Sequence, residues 1–180
     1  MPATSAASKI PQSSTGICGN SCAASHAELN IVLYQPEIPW NTGAVGRTCV
    51  AAGATLHLIK PLGFRVDSRE IRRAGLDYWP RLRLVLHEGL SAFLDSLPPQ
   101  ASVLVFTTKA SASFRTAPYR SDSFLLFGRE SMGLPQEVMD RFSDSLYRIP
   151  VTPDVRSLNL STAAALALYE GLRAVGQDPQ

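Results

Sequence analysis

No apolar run in the chain approaches the roughly 18–20 residues of a membrane-spanning helix, which argues against membrane insertion. Cysteine occurs only three times in 180 residues. That is too few for a disulfide scaffold, and it suits a reducing cytoplasm. Net charge is small, with 17 basic against 15 acidic side chains, so a polybasic coat is excluded. No G-x-G occurs, which removes the dinucleotide fingerprint. Gly128 and Gly133 have the spacing of a phosphate-binding loop, but Leu134 stands where its lysine should follow. Ser131 has Arg129 two residues before it, which fails the nucleophile elbow. His87-Glu88 lacks the second histidine of a zinc-protease helix. Hydride transfer, nucleotide hydrolysis, serine hydrolysis and zinc proteolysis all lose their usual signatures.

What remains is an ordinary globular composition. Hydrophobic residues make up 45% of the chain, enough to build one good core. The first 28 residues differ: 18 of them are Ser, Ala, Thr, Pro or Gly. They have no apolar stretch of the length a secretory signal needs, and too little apolar surface to offset their ordering entropy. This predicts a disordered tail at 1–28 and a single domain at 29–180. Cys18, Cys22 and His26 stand at C-x3-C-x3-H spacing. With no fourth ligand nearby they read as incidental rather than as a zinc site.

The folded part alternates strands with helices. Leu29–Tyr34 reads as a buried strand, and Asn41-Thr42 offers an N-cap to a helix over 44–52 that stops at Gly53. Further strands are expected at 55–59, 84–86, 102–107, 124–127 and 147–149, and helices at 90–97, 135–141 and 159–174. Continuous apolar strands alternating with helices argue a mainly parallel α/β sheet covered on both faces. Ligands in such sheets sit beyond the carboxyl ends of the strands. The loops placed to hold a ligand are therefore 35–43, 107–111, 128–134 and 150–158.

Three of these loops stand out. Pro36-Glu37-Ile38-Pro39-Trp40-Asn41-Thr42-Gly43 leads into a helix carrying Arg47 one turn in. A helix start beside a guanidinium suits an anion, although a capped helix with a surface arginine would look the same. Phe127-Gly128-Arg129-Glu130-Ser131-Met132-Gly133-Leu134-Pro135 ends a strand at a glycine, where backbone can approach a ligand. Glu130 there is either functional or a solvated loop carboxylate. Ile149-Pro150-Val151-Thr152-Pro153-Asp154-Val155-Arg156-Ser157-Leu158-Asn159-Leu160-Ser161 fixes an extended path into a helix rich in small residues. Asn159 or Ser161 can cap that helix. A separate stretch, 65–83, holds six of the fourteen arginines. It reads as a candidate RNA contact, since arginine matches phosphate geometry and stacks on bases. The plainer alternative is an arginine-rich surface. Trp40 and Tyr78 are each either stacking platforms for an unpaired base or core and contact residues.

Taken together, the N-T-G-x-x-x-R loop, F-G-x-E-x-x-G-L-P and I-P…R-S-L-N-L-S resemble the SPOUT superfamily of RNA methyltransferases, in its 2′-O-ribose branch. The match is near the bacterial tRNA (cytidine/uridine-wobble-2′-O)-methyltransferases and covers about 29–175. Arg72-Arg73-Ala74-Gly75-Leu76-Asp77-Tyr78 and Thr107-Thr108-Lys109 look like that subfamily too. The resemblance implies a deep trefoil knot at the carboxyl end, S-adenosylmethionine as methyl donor without a metal, a homodimer, and tRNA as substrate in the cytoplasm. It implies cofactor contacts at Phe106, Gly128, Ile149, Ser157 and Leu158. It places Arg47 at the reacting hydroxyl, with Asn41, Glu130 and Asn159 around it. Arg72, Arg73 and Arg156 are the expected RNA contacts. The other readings are the same chemistry at another tRNA or ribosomal RNA position, and a knotted binding module without turnover.

Overall fold

The computed structural model describes residues 28–66 and 78–177. Most of the expected tail, the Cys18–His26 spacing, and Arg72 and Arg73 lie outside the described residues.

The chain runs β1 (Asn30–Tyr34), α1 (Pro39–Ala52), β2 (Thr55–Ile59), a 3-10 turn at Trp79–Arg81, β3 (Leu84–His87), α2 (Leu90–Asp95), β4 (Val103–Phe106), β5 (Phe124–Phe127), α3 (Gln136–Arg141), β6 (Leu146–Tyr147) and α4 (Leu160–Ala174). The six strands form one sheet in the order β3-β2-β1-β5-β4-β6. Every neighbouring pair is parallel. Because β5 inserts between β1 and β4, chain order reverses beside β1. That is the place where the loops after neighbouring strands diverge and leave a crevice.

Successive strand residues point to opposite faces, and the two faces pack different helices. Ile31, Leu33, Leu56, Leu58, Leu104, Phe106, Leu125 and Phe127 meet Val45 and Cys49 of α1 and Ala164, Ala167 and Leu168 of α4. Val32, Ile59, Val103, Val105 and Leu126 meet Phe93 of α2 and Val138 and Met139 of α3. Burial pushes the Cys49 thiol up to about 12. It stays protonated at neutral pH, a core side chain rather than a nucleophile. Among the described residues no helix is long and apolar enough to cross a membrane.

The element boundaries differ from the sequence reading at two helix starts. α1 begins at Pro39, with Ile38 as its cap residue and no side-chain cap bond. Proline loses nothing in a first turn, where its missing N–H would have no partner. Asn41 and Thr42 thus lie inside the helix, both buried, and Asn41 is released from capping for another role. At α3, Pro135 precedes the helix in extended conformation instead of opening it. The last short strand ends at Tyr147, so Ile149 falls in the loop beyond it.

One polar pair interrupts the second face. His57 Nδ1 lies 3.0 Å from His87 Nε2, and His57 Nε2 lies 3.2 Å from Asn30 Oδ1. The rings of Phe93 and Phe124 stand edge-on to His57. The amide oxygen of Asn30 can only accept, so His57 Nε2 carries the proton and Nδ1 accepts from His87. His57 is then neutral. Burial, with His87 alongside, pushes His57 down to about 4. In the unfolded chain a histidine titrates near 6.5. Protonation below about pH 6.5 therefore favours unfolding. This stability is fully present above 6.5 and is lost as pH falls toward about 4. After discounting for partial exposure the loss is of order 2 kcal/mol, or roughly 4–8 °C in Tm. Thermal melts of His57→Gln between pH 7 and 4 should show a shallower decline than the parent chain. Equal slopes would mean that the pair does not titrate this way.

Candidate functional site

Loops following β1, β4 and β5, together with the segment after β6, converge at the carboxyl edge of the sheet. They enclose a cavity of about 580 Å³. Phe106, Gly128, Ile149, Ser157 and Leu158 all line it, and so do Asn41, Glu130, Asn159 and Arg156. Its inner wall is apolar, built from Phe106 and Phe127 (rings stacked at 4.9 Å), Leu134, Ile149, Leu158 and Ala163. The rim is polar, with Thr107, Thr108, Lys109, Arg129 and Ser131.

Gly128 explains how the loops come so close. A Cβ at that position would lie 2.3 Å from the Gly133 carbonyl carbon and 2.5 Å from the Leu134 nitrogen. Only a residue without a side chain lets this strand end turn back under its own loop. Arg129 and Gly133 then exchange two backbone hydrogen bonds of 3.0 Å each, closing a tight five-residue loop that presents Glu130 and Ser131.

That loop is clasped to the one after β1 by two carboxylates. Glu130 accepts from the backbone amides of Glu37 (2.9 Å) and Ile38 (3.3 Å) and from Asn41 Nδ2 (3.1 Å). Glu37 in turn accepts from the Ser131 amide (2.9 Å) and hydroxyl (2.7 Å). The Ser131 hydroxyl and amide hold the Glu37 carboxyl below its ordinary value. From Asn41 the network continues: Asn159 Nδ2 donates to Asn41 Oδ1 at 2.9 Å. Asn159 Oδ1 accepts from the Ser161 amide (2.9 Å) and hydroxyl (2.7 Å), which caps α4. One chain of hydrogen bonds thus ties together three loops lying far apart in sequence. A fixed Asn41 amide oxygen and Glu130 carboxylate follow from it.

The structure does not bring every expected residue to this cavity. Arg47 is absent from its lining. It lies six residues beyond Asn41 on α1, which places it roughly 9 Å along the axis and on another face of the helix. There its guanidinium sits 4.6 Å from the centre of the Tyr78 ring. Tyr78 is itself buried, at 6% exposure, so it is no platform for an unpaired base. Trp40, at 52%, is open to solvent. Arg156 is exposed at the mouth.

Two contributors escaped the sequence reading. Glu37 and Ser131 are 94 residues apart, and each looks like an ordinary loop residue on its own. The only available signal was that both lie inside loops already singled out.

Comparison with known proteins supplies the context. The SpoU rRNA Methylase family matches residues 28–169. The tRNA (cytidine(34)-2′-O)-methyltransferase of Escherichia coli strain K12 is 42% identical over 149 residues, covering 82% of this chain and 94% of that protein. The enzyme of the same description from Burkholderia cenocepacia is 44% identical over 149 residues, covering 82% and 96%. Among solved structures, one concerned with the 2-OH methylation of C/U34 on tRNA has a TM-score of 0.78. It is 51% identical and covers 81% of this chain and 95% of its own. The AdoMet-bound rRNA methyltransferase from Sinorhizobium meliloti has a TM-score of 0.74 at 29% identity, over 82% of this chain and 56% of that one.

Proposed function

Because the chain belongs to the SpoU rRNA Methylase family, we propose that it transfers the methyl group of S-adenosylmethionine to a ribose 2′-hydroxyl of tRNA, at the wobble nucleotide (position 34, a cytidine or a modified uridine). The observation that carries this reading is the cavity after β4, β5 and β6. Five residues expected to hold the cofactor line it beside Asn41, Glu130 and Asn159. The residues suit that ligand. A volume of about 580 Å³ lies within the roughly 300–1,000 Å³ of small-molecule sites. The apolar wall offers faces to a purine, and the loop backbones at 107–109 and 128–130 offer polar groups to its edge and to the ribose.

Bound S-adenosylmethionine supplies an already activated methyl group, so no metal is required. Phe106, Gly128, Ile149, Ser157 and Leu158 would hold it. Asn41, Glu130 and Asn159 orient the nucleotide ribose at the mouth. A guanidinium keeps its proton at neutral pH and is a poor base. Arg47 instead grips the phosphate next to the target and stabilises the charge that develops on the 2′-oxygen. An oxygen of that phosphate takes the proton.

The enzyme acts as a homodimer in the cytoplasm, and the position of Arg47 supports the dimer. Within one chain this arginine stands away from the cavity, so a second copy's Arg47 completes each site. Trp40 at the start of α1 and Leu166 and Tyr169 on α4 are exposed apolar side chains available to such an interface. Residues 29–180 form one methyltransferase domain, and its carboxyl end is a deep trefoil knot. In support, β6 pairs outside β4 while α4 returns to pack on β5 and α1. The connecting segment must therefore cross the carboxyl ends of the central strands.

The test is to incubate the protein with S-adenosylmethionine and tRNA unmodified at the wobble position, digest, and locate the new methyl by mass spectrometry. A 2′-O-methyl at position 34 is expected. A methyl at another tRNA position or on ribosomal RNA would move the substrate assignment, and none on either would leave a binding module. For the RNA contact we expect Arg72, Arg73 and Arg156 to meet phosphates. Replacing all three by alanine should lower the slope of log K against log salt by about 2–3, at roughly 0.7–0.9 per contact. An unchanged slope places the RNA elsewhere.

A further inference from the structure

Tyr78 touches Arg47 in two ways. The guanidinium carbon of Arg47 lies 4.6 Å from the centre of the tyrosine ring, within reach of a cation–π contact. The Tyr78 hydroxyl donates to the carbonyl oxygen of Gly43. Gly43 is four residues before Arg47, so its carbonyl is also the helical acceptor for the Arg47 amide. The tyrosine therefore reaches both the head of the arginine and the turn of backbone from which it springs.

The neighbouring helix position makes room for this. Gly46 sits in the middle of α1, where glycine is less favourable than alanine. A Cβ there would lie 3.1 Å from Leu82 Cδ2, 3.3 Å from Trp79 Cζ3 and 3.6 Å from Tyr78 Cε2. The bare backbone lets the Tyr78–Leu82 segment press directly onto the helix beside Arg47. Tyr78 and Trp79 also contact each other, with ring centres 6.5 Å apart, so the tyrosine is held from the side as well as from below.

We propose that Tyr78 is a positioning residue for Arg47: its ring fixes the guanidinium and its hydroxyl fixes the turn carrying it. This rests on the reading of the chain as a methyltransferase in which Arg47 meets the reacting ribose. Tyr78 is not among the residues lining the cofactor cavity, so it acts on turnover and leaves cofactor binding alone. The flexible arginine side chain is ordered before the nucleotide arrives, which spares that entropy during the reaction.

The test compares Tyr78→Leu with Tyr78→Phe. Removing the ring should lower kcat by about 2- to 5-fold, the rate equivalent of a cation–π contact whose guanidinium is exposed. S-adenosylmethionine affinity by calorimetry should stay within about twofold of the parent, because Tyr78 is not part of the cavity lining. Phenylalanine keeps the ring and should restore kcat to near the parent value, since the hydroxyl it gives up bonds the helix backbone and not the guanidinium. Full kcat in Tyr78→Leu overturns the proposal, as does an equal loss in both variants. A second measurement is independent of turnover. In the parent chain the Arg47 side-chain N–H resonances should be shifted upfield by the ring, retained in Tyr78→Phe and lost in Tyr78→Leu. Absence of that shift in the parent chain overturns the stack itself. If the shift is present and the parent transfers no methyl, the stack stands and the methyltransferase reading is what fails.

Discussion

Arg47→Ala reduces methyl transfer by at least about 10³-fold while S-adenosylmethionine binds within about twofold of the parent affinity. The first figure combines one lost oxyanion stabiliser, at roughly 10²–10³ in kcat, with one lost phosphate contact. The second follows from position, since Arg47 takes no part in the cavity lining. Single-turnover rates and calorimetry on one preparation check both halves. Retained turnover removes Arg47 from the chemistry. A parallel loss of cofactor affinity makes it a structural residue of α1.

Gly128→Ala has the opposite signature. The added Cβ would stand 2.3 Å from the Gly133 carbonyl carbon and 2.5 Å from the Leu134 amide nitrogen. Both are backbone, so neither can swing aside as a side-chain tip can. The loop has to open, and Glu130 and Ser131 move with it. Cofactor affinity should fall by at least about 100-fold, equivalent to some 2.7 kcal/mol. Calorimetric titration measures it directly. Near-parent binding in a folded variant means the loop opens at little cost, and Gly128 then loses its role. Combining the two variants tests the dimer as well. Mixed dimers of Arg47→Ala with Gly128→Ala contain one intact composite site if arginine and cavity come from different subunits. They contain none if both come from the same one. Activity returning on mixing therefore supports action across the interface.

Much of the sheet was legible because its central strands are short, continuous apolar runs. Asn30–Tyr34 and Phe124–Phe127 fall where their sequences put them. The cavity residues were reachable through the resemblance, since loops after parallel strands have to carry them. What the sequence could not show is pairing over distance. Asn41 reads as a helix cap because asparagine before an apolar helix usually is one. Instead Pro39 starts the helix two residues earlier. Asn41 is left free to bond Glu130 and Asn159, 89 and 118 residues away. Tyr78 shows the same limit. An aromatic beside arginines is open to two readings, a base platform or a core residue, and only the packing of Gly46 and Leu82 around it decides for a buried support. Arg47 was correctly placed on a helix behind the first loop. Its separation from the cavity depends on helical phase relative to α4 and the 128–134 loop, which no local pattern encodes.

The hydrogen-bond chain from Glu130 through Asn41 to Asn159 has a consequence for how the protein is made. Its last member opens the final helix, so a nascent chain that stops short of Asn159 holds every strand of the sheet and yet has no finished pocket. Contacts this distant in sequence form late, because loop closure must be met before they give any return. Ligand binding is then an end-point signal of maturation: only a chain that has brought its last helix home has a complete cavity, and any ligand bound there holds that helix in place by mass action.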